Sequence, residues 1–360
     1  MSQLKVNAIR HTGASSDAVT LASDGTCTAK ITNPPPGNRN LIINGAMQIY
    51  QRGASTGIGS ANEITYALDR WGLYTQNTGS RFTMSQGDGP DGFQTSLKIA
   101  CTTADTSLAS NEEVQLLYKV EGYDTERFQK GTSGAKSYTL SFWAKSIKTG
   151  TYIVRLLGRD NTVSNVSKAY TIGDTNWNKY TINFPADTDT NRKDNSDNGE
   201  ALRICFWLLS GSGANSGTLQ ETWANSSDSG ACPGQVNFAD STSNIFYLTG
   251  VQLEVGDVAT DFEYRSYQDE LYRCKRYFQG WGSSVRFHDT SSANHATHQY
   301  VVMRATPTIV RTGNLYGSYE SGSTTSVATY NLNVGQTTLL SYGNSSDKAV
   351  GGYGTLSAEL

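Results

Sequence analysis

Ser137-Tyr138-Thr139-Leu140-Ser141-Phe142-Trp143-Ala144-Lys145 alternates for nine residues, with Tyr138, Leu140, Phe142 and Ala144 on one side. A period of two is that of a β-strand, whose successive side chains point to opposite faces. Phe142 and Trp143 therefore point apart. One belongs between two sheets; the other faces a groove or a subunit neighbour.

Working outward, similar runs recur on both sides. Leu97-Lys98-Ile99 alternates, Leu41-Ile42-Ile43 is apolar, and strand-like stretches follow at Tyr152 to Leu157, Tyr180 to Phe184, Leu202 to Leu209 and Ile245 to Leu253. Turn clusters separate them, among them Asp160-Asn161, Gly211-Ser212-Gly213 and 225–230. The composition agrees: 36 glycines, 20 tyrosines, 11 phenylalanines and 6 tryptophans stand among abundant Ser, Thr and Asn, with few helix-forming runs. The expected class is all-β, and the spacing over residues 37–265 predicts a jelly-roll-like β-sandwich.

The ends read differently. Residues 1–36 hold short strand signals at Leu4, Val6 and Ala8, at Val19 to Leu21 and at Thr28 to Ile31, followed by the stiff linker Pro34-Pro35-Pro36-Gly37. Strands so small cannot bury a core alone, so this arm is expected to lean on a larger particle. Ser266 to Phe278 predicts a helix, with Ser266 as N-cap, acids in the first turn and Lys275-Arg276 at the far end. Its Tyr267, Leu271, Cys274 and Phe278 share one face, suited equally to packing on its own domain or around a symmetry axis. Residues 280–360 read as a small C-terminal β domain, with strands at Tyr300 to Met303, Thr308 to Arg311, Ser326 to Leu332 and Thr337 to Tyr342.

Charge and cysteines exclude several classes. With 29 basic and 32 acidic residues in 360, the net charge is −3, which gives no footing for nucleic acid or an anionic membrane. No stretch is long and apolar enough for a membrane helix, and the first residues lack the apolar core of an export signal. Five scattered cysteines contain no CxxC pair and read as small buried hydrophobes.

Asn38-Arg39-Asn40-Leu41-Ile42-Ile43-Asn44-Gly45-Ala46-Met47-Gln48-Ile49-Tyr50-Gln51-Arg52-Gly53 resembles the opening of a family of bacteriophage tail-fibre and virion structural proteins. Further pieces follow in order: Tyr66 to Trp71, Val120-Glu121-Gly122, Thr139 to Ser146, Thr149 to Tyr152, Phe246 to Gly256, Leu271 to Phe278 and Met303 to Thr308. The head, Leu4 to Ile31, is similar to the attachment arms of marine-phage fibres. The resemblance implies a carbohydrate-binding-module-like jelly roll on a virion appendage, made in the host cytoplasm and assembled as an intertwined homotrimer. It implies that Leu4, Val6 and Ile9 take part in attachment to other virion proteins (tail, nozzle or capsid). Tyr267, Leu271 and Cys274 would meet at the trimer axis.

Site chemistry is sparse. Trp223, Trp281 and Tyr300, in loop-rich stretches, are the candidates for stacking on host-surface glycan. Hydrolysis of glycans needs two carboxylates flanking the bond. The densest acidic cluster, Glu112, Glu113, Glu121 and Glu126, opens with adjacent residues that point apart on a strand. His295 and His298, with His288 and Asp289 before them, could share a metal on a helix or loop, whereas in a strand an i, i+3 pair points to opposite faces, and a closed site needs a full set of ligands. No GxxxxGK[ST], GxSxG or HExxH occurs. The expectation is a virion protein for adhesion, without catalytic residues, metal or cofactor. A purely structural adaptor or decoration protein is the alternative, and a glycan depolymerase the least supported reading.

Overall fold

The computed structural model describes residues 6–23, 27–29, 38–59, 62–227, 229–283, 294–299, 301–305, 307–311, 338–343 and 352–360. Strands β1 (Ala8–Ile9), β2 (Val19–Leu21) and β3 (Cys27–Ala29) form an antiparallel meander. None of residues 6–23 is buried, as a sheet with so few side chains dictates.

The body begins with β4 (Ser55–Ile58), β5 (Glu63–Tyr66), β6 (Trp71–Gln76), β7 (Phe82–Asp88), β8 (Thr95–Cys101) and β9 (Glu113–Glu121). After α1 (Gly122–Thr125) come β10 (Tyr138–Ser146), β11 (Gly150–Gly158), β12 (Ser164–Ile172), β13 (Asn178–Phe184) and β14 (Glu200–Ser210). Helix α2 (Ser212–Asn215), β15 (Ala224–Asn225), β16 (Ile245–Val255) and α3 (Tyr267–Lys275) follow. The chain ends with β17 (Phe278–Ser283), β18 (Asn294–Gln299), β19 (Thr308–Arg311), β20 (Thr338–Gly343) and β21 (Gly352–Ser357).

Two antiparallel sheets face each other, one in the order β13-β10-β16-β8-β7-β4 and the other β15-β12-β11-β14-β9-β6-β5. The chain crosses between sheets after β4, β6, β8, β9, β10, β12, β13 and β15, which is the winding of a jelly roll. The protein is an all-β, jelly-roll-like sandwich with short helices. None of the described helices is long and apolar enough to cross a bilayer.

The alternation of β10 is realised as written. Tyr138, Leu140, Phe142 and Ala144 are buried between the sheets, where the Phe142 ring meets Phe206 and Tyr170 edge-on at 5.1 Å each. Edge-to-face rings gain from their quadrupoles beyond the burial of area. On the other side of that core, Trp71 lies 5.0 Å from Tyr118 and donates its indole N–H to the Asn44 carbonyl.

Leu41-Ile42-Ile43 is buried but is not a strand. Its backbone groups are met by side chains instead. Asn40 Oδ1 accepts from the Ile42 and Leu253 amides, and the Tyr118 hydroxyl accepts from Ile43. Asn44, at φ 59°, donates its amide to the Ile49 and Asp69 carbonyls. Gly45 is required next to it, because a Cβ there would stand 2.2 Å from the Val251 carbonyl oxygen.

Helix α3 starts as expected, with Ser266 Oγ accepting from the Asp269 amide. Its apolar face is already used. Cys274 and the half-buried Leu271 pack with Ile43, Ile49, Tyr277 and Leu360 of the same chain. That corrects the assignment of Cys274, fully buried in its own chain, to a trimer axis; Leu271 stays half-buried and Tyr267 exposed. Phe278 opens β17 rather than closing the helix.

In the C-terminal segment, Thr308–Arg311 and 338–343 are strands, whereas 301–303 is not. Tyr300 and 326–332 lie outside the described residues. Strand β21 pairs with β17 and β19, and beyond it Glu359 reaches the body. Arg70 pairs with Glu359 at 2.9 Å, while Asp69 lies 3.6 Å from Arg52.

Candidate functional site

The outer face of the six-stranded sheet carries side chains from alternate positions of β13, β10, β16, β8 and β7. In register, Trp143 of β10 lies opposite Lys179 of β13 and Thr249 of β16. One step along, Lys145 lies opposite Tyr247, and Tyr247 opposite Lys98 of β8. Strand parity dictates this set: Phe246 and Leu248 go inward, so Tyr247 goes outward.

The Tyr247 ring has a built seat. The Trp177 ring stands 5.9 Å away at 58°, and the Lys98 and Lys145 ammonium groups lie 6.0 and 5.6 Å from the ring centroid. Gly87 of β7 leaves the space beneath, since a Cβ there would come within 3.2 Å of the ring. Trp177, Trp143 and Tyr247 are all half-buried.

A second aromatic group adjoins Trp143. Phe93 packs on Phe262 at 5.0 Å and on Tyr264 at 5.5 Å. Gly250, at φ 60° in the bulge of β16, brings Phe93 and Trp143 together, because a Cβ there would lie 2.7 and 3.0 Å from their rings. Tyr264 is exposed and donates its hydroxyl to the Gly92 carbonyl. Flat aromatic rings with an open face can stack on the C–H face of a sugar ring.

Of the three residues expected to bind sugar, Trp223 has a described side chain. Trp223 is a core residue, not a loop platform: its indole N–H donates to the Pro185 carbonyl at 2.8 Å, and its ring meets Tyr138 and the Lys130 ammonium. The side chain is buried. Trp281 sits in β17 opposite Gly354, and Tyr300 lies outside the described residues. Sequence reasoning missed Tyr247 and Trp177, although it had placed Trp143 opposite to Phe142.

Of the arm residues, Val6 and Ile9 are exposed, and Leu4 lies outside the described residues. Cysteines 101, 205, 232 and 274 are buried and free, whereas Cys27 on β3 is exposed. His295 and His298 lie on β18, in register with Tyr342 and Leu339, and His288 is outside the described residues.

The acidic cluster is spent on structure. Glu112 accepts from Arg81 at 2.9 Å, and Glu121 takes a two-pronged bond from Arg276 at 3.0 and 2.7 Å. Glu126 is bonded by the Ser196 hydroxyl. Glu113 accepts from the Gln115 amide at 3.0 Å.

A cleft of about 530 Å³ near α1 is lined by Thr125, Glu126, Gln129, Lys130, Asp194 and Asn195. Beneath it the buried Lys130 ammonium lies 3.5 Å from both Asp187 and Asp194. Burial pushes the Asp194 carboxyl from its ordinary 3.8 up to about 6, against the opposing pull of Lys130. The folded protein therefore holds this proton more tightly than the unfolded chain. Its contribution to stability is complete below pH ~4 and lost as pH rises through about 6. Relative to wild type, Asp194→Asn should gain about 1–3 kcal/mol between pH 4.5 and 7.5, read from urea midpoints. Equal pH slopes for both proteins would contradict this.

No family model matches the sequence, and no curated protein matches it. Among solved structures, the chain is similar to the enzymatically active domain of tailspike protein 4 of bacteriophage CBA120, at 12% identity and TM-score 0.27, over 60% of this chain and 21% of that one. It is similar to a putative sugar binding protein from Bacteroides thetaiotaomicron VPI-5482, at 11% identity and TM-score 0.32, over 60% and 100%. It is also similar to TmCBM61 in complex with β-1,4-galactotriose, at 10% identity and TM-score 0.28, over 61% and 99%.

Proposed function

We propose that this protein is a non-enzymatic structural protein of a bacteriophage virion, a homotrimeric tail fibre or appendage that holds host-surface glycan on the outer face of its sandwich. The observation that carries the glycan reading is the half-buried aromatic strip of Trp177, Tyr247 and Trp143, seated on Gly87 and flanked by lysines. The virion reading is supported by the ordered motifs that resemble tail-fibre proteins. Several of them build the scaffold of this face: Thr139 to Ser146 is β10, and 246–255 falls in β16.

The arm is the part that joins the particle. Val6, Ile9 and Leu21 stay exposed on a meander without a core, a surface that gains stability by docking on another virion protein. Three arms and three glycan faces per trimer convert weak single sites into firm attachment. Tyr267 and Tyr272, left open by α3, offer apolar area for the contact between copies.

An immobilised panel of host polysaccharides, combined with a reducing-end assay, tests the function. Retention without new reducing ends is the expected result. Absence of retention on every member would leave a purely structural adaptor or decoration protein, and new reducing ends would make it a depolymerase. Light scattering after size exclusion should give about three times 39.0 kDa. A mass of 39.0 kDa would contradict the stable trimer.

A further inference from the structure

We infer that the Tyr247 face takes an anionic polysaccharide, one whose sugars carry carboxylate or sulfate groups. This rests on the glycan reading above and adds the charge of the ligand. Three lysines, Lys98, Lys145 and Lys179, stand on this face. Two hold their ammonium groups 6.0 and 5.6 Å from the Tyr247 centroid, and the third is exposed opposite Trp143. Among the described residues none of the three forms an ion pair within 4.0 Å.

Of the carboxylates around this face, none pairs with the three lysines within 4.0 Å among the described residues. Asp174 accepts from the Asn176 amide and the Asn178 side chain, at 2.9 Å each. Asp240 is held by Lys148, and Glu254 accepts from Thr260. Asp174 and Glu254 thus accept from neutral donors and keep their charge. Asp88, at the end of β7, has the strand parity opposite to Gly87.

A protein of net charge −3 thus gathers three lysines, none in an ion pair among the described residues, around a half-buried aromatic strip. Lysines beside a stacking ring place an ammonium at the rim of a bound pyranose, where a C6 carboxylate or a ring sulfate projects. A neutral glycan would leave the three charges unused.

The test compares matched pairs of one backbone: polygalacturonate with its methyl ester, and chondroitin sulfate with desulfated, carboxyl-methylated chondroitin. Binding is followed by calorimetry at 50 and 500 mM salt. The acidic member should bind at least tenfold tighter than its neutral partner, and the preference should shrink at high salt. Lys98→Gln with Lys145→Gln and Lys179→Gln should erase about that tenfold difference while keeping residual binding to the neutral member.

Equal binding of both members, insensitive to salt, would overturn the charge assignment and leave the aromatic face standing. No binding of any member would overturn both. Tighter binding of a single-stranded oligonucleotide than of any acidic polysaccharide would assign the face to a different polymer, since bases also stack on aromatic side chains. The salt dependence of the wild type decides the matter even if the triple variant fails to fold.

Discussion

Replacing Glu359 by alanine should lower the unfolding free energy by about 3–5 kcal/mol, the cost of leaving buried charge without its partner. The Glu359 carboxylate accepts from Arg52 Nη2 at 2.7 Å and from Arg70 Nη1 at 2.9 Å. The side chains of Arg70 and Glu359 are 2% and 8% exposed, so water cannot replace the lost carboxylate. Arg70 lies 3.4 Å above the Tyr277 ring, and Arg52 lies 3.6 Å above Phe278. Neither guanidinium can swing out without breaking that stacking. Asp69, 3.6 Å from Arg52, compensates one of the two. Arg70 would keep only the Lys119 carbonyl. Guanidinium chloride unfolding of wild type, Glu359→Ala and Glu359→Gln measures the effect. A loss below 1 kcal/mol in both variants would show that the C-terminal residues do not close over the sandwich.

The largest functional effect belongs to Tyr247. Tyr247→Ala should weaken glycan binding about 30-fold or more, equivalent to ~2 kcal/mol and typical of an aromatic anchor at the centre of a contact. The stability change should be small, because the ring lies on the outer face of β16 while Phe246 and Leu248 fill the core. Calorimetry and thermal melting on the same preparation separate the two effects. A large drop in melting temperature with unchanged affinity would make Tyr247 a packing residue and remove it from the site.

The fold was readable because β10 shows its parity openly: Thr139, Ser141, Trp143 and Lys145 are distinguishable from the apolar set between them. Strand β16 hides the same parity, since its run from Ile245 to Leu248 is apolar at both faces and Tyr247 looks like core. Only its neighbours in space, Gly87 and Lys98, mark it as outward. Trp223 misled in the opposite direction. Its flanking Asn and Ser residues read as a loop, but Pro185 and Lys130, far away in sequence, enclose the indole. Helix α3 was legible as an amphipathic element. What covers its apolar face was not, because Ile43 and Ile49 come from the opposite end of the sandwich sequence. The buried turn at Leu41 to Ile43 carries no periodicity at all, as its backbone is satisfied by Asn40 and the Tyr118 hydroxyl instead of a ladder.

The proposed glycan site lies on the sandwich face and not in the C-terminal segment, and affinity electrophoresis tests this most directly. Wild type, Tyr247→Ala and Trp281→Ala are run side by side through gels with and without an acidic polysaccharide that the wild type binds. Wild type and Trp281→Ala should be retarded equally, with Tyr247→Ala migrating as if the polysaccharide were absent. Retardation of Tyr247→Ala together with loss of retardation in Trp281→Ala would contradict this and move the site to the C-terminal segment.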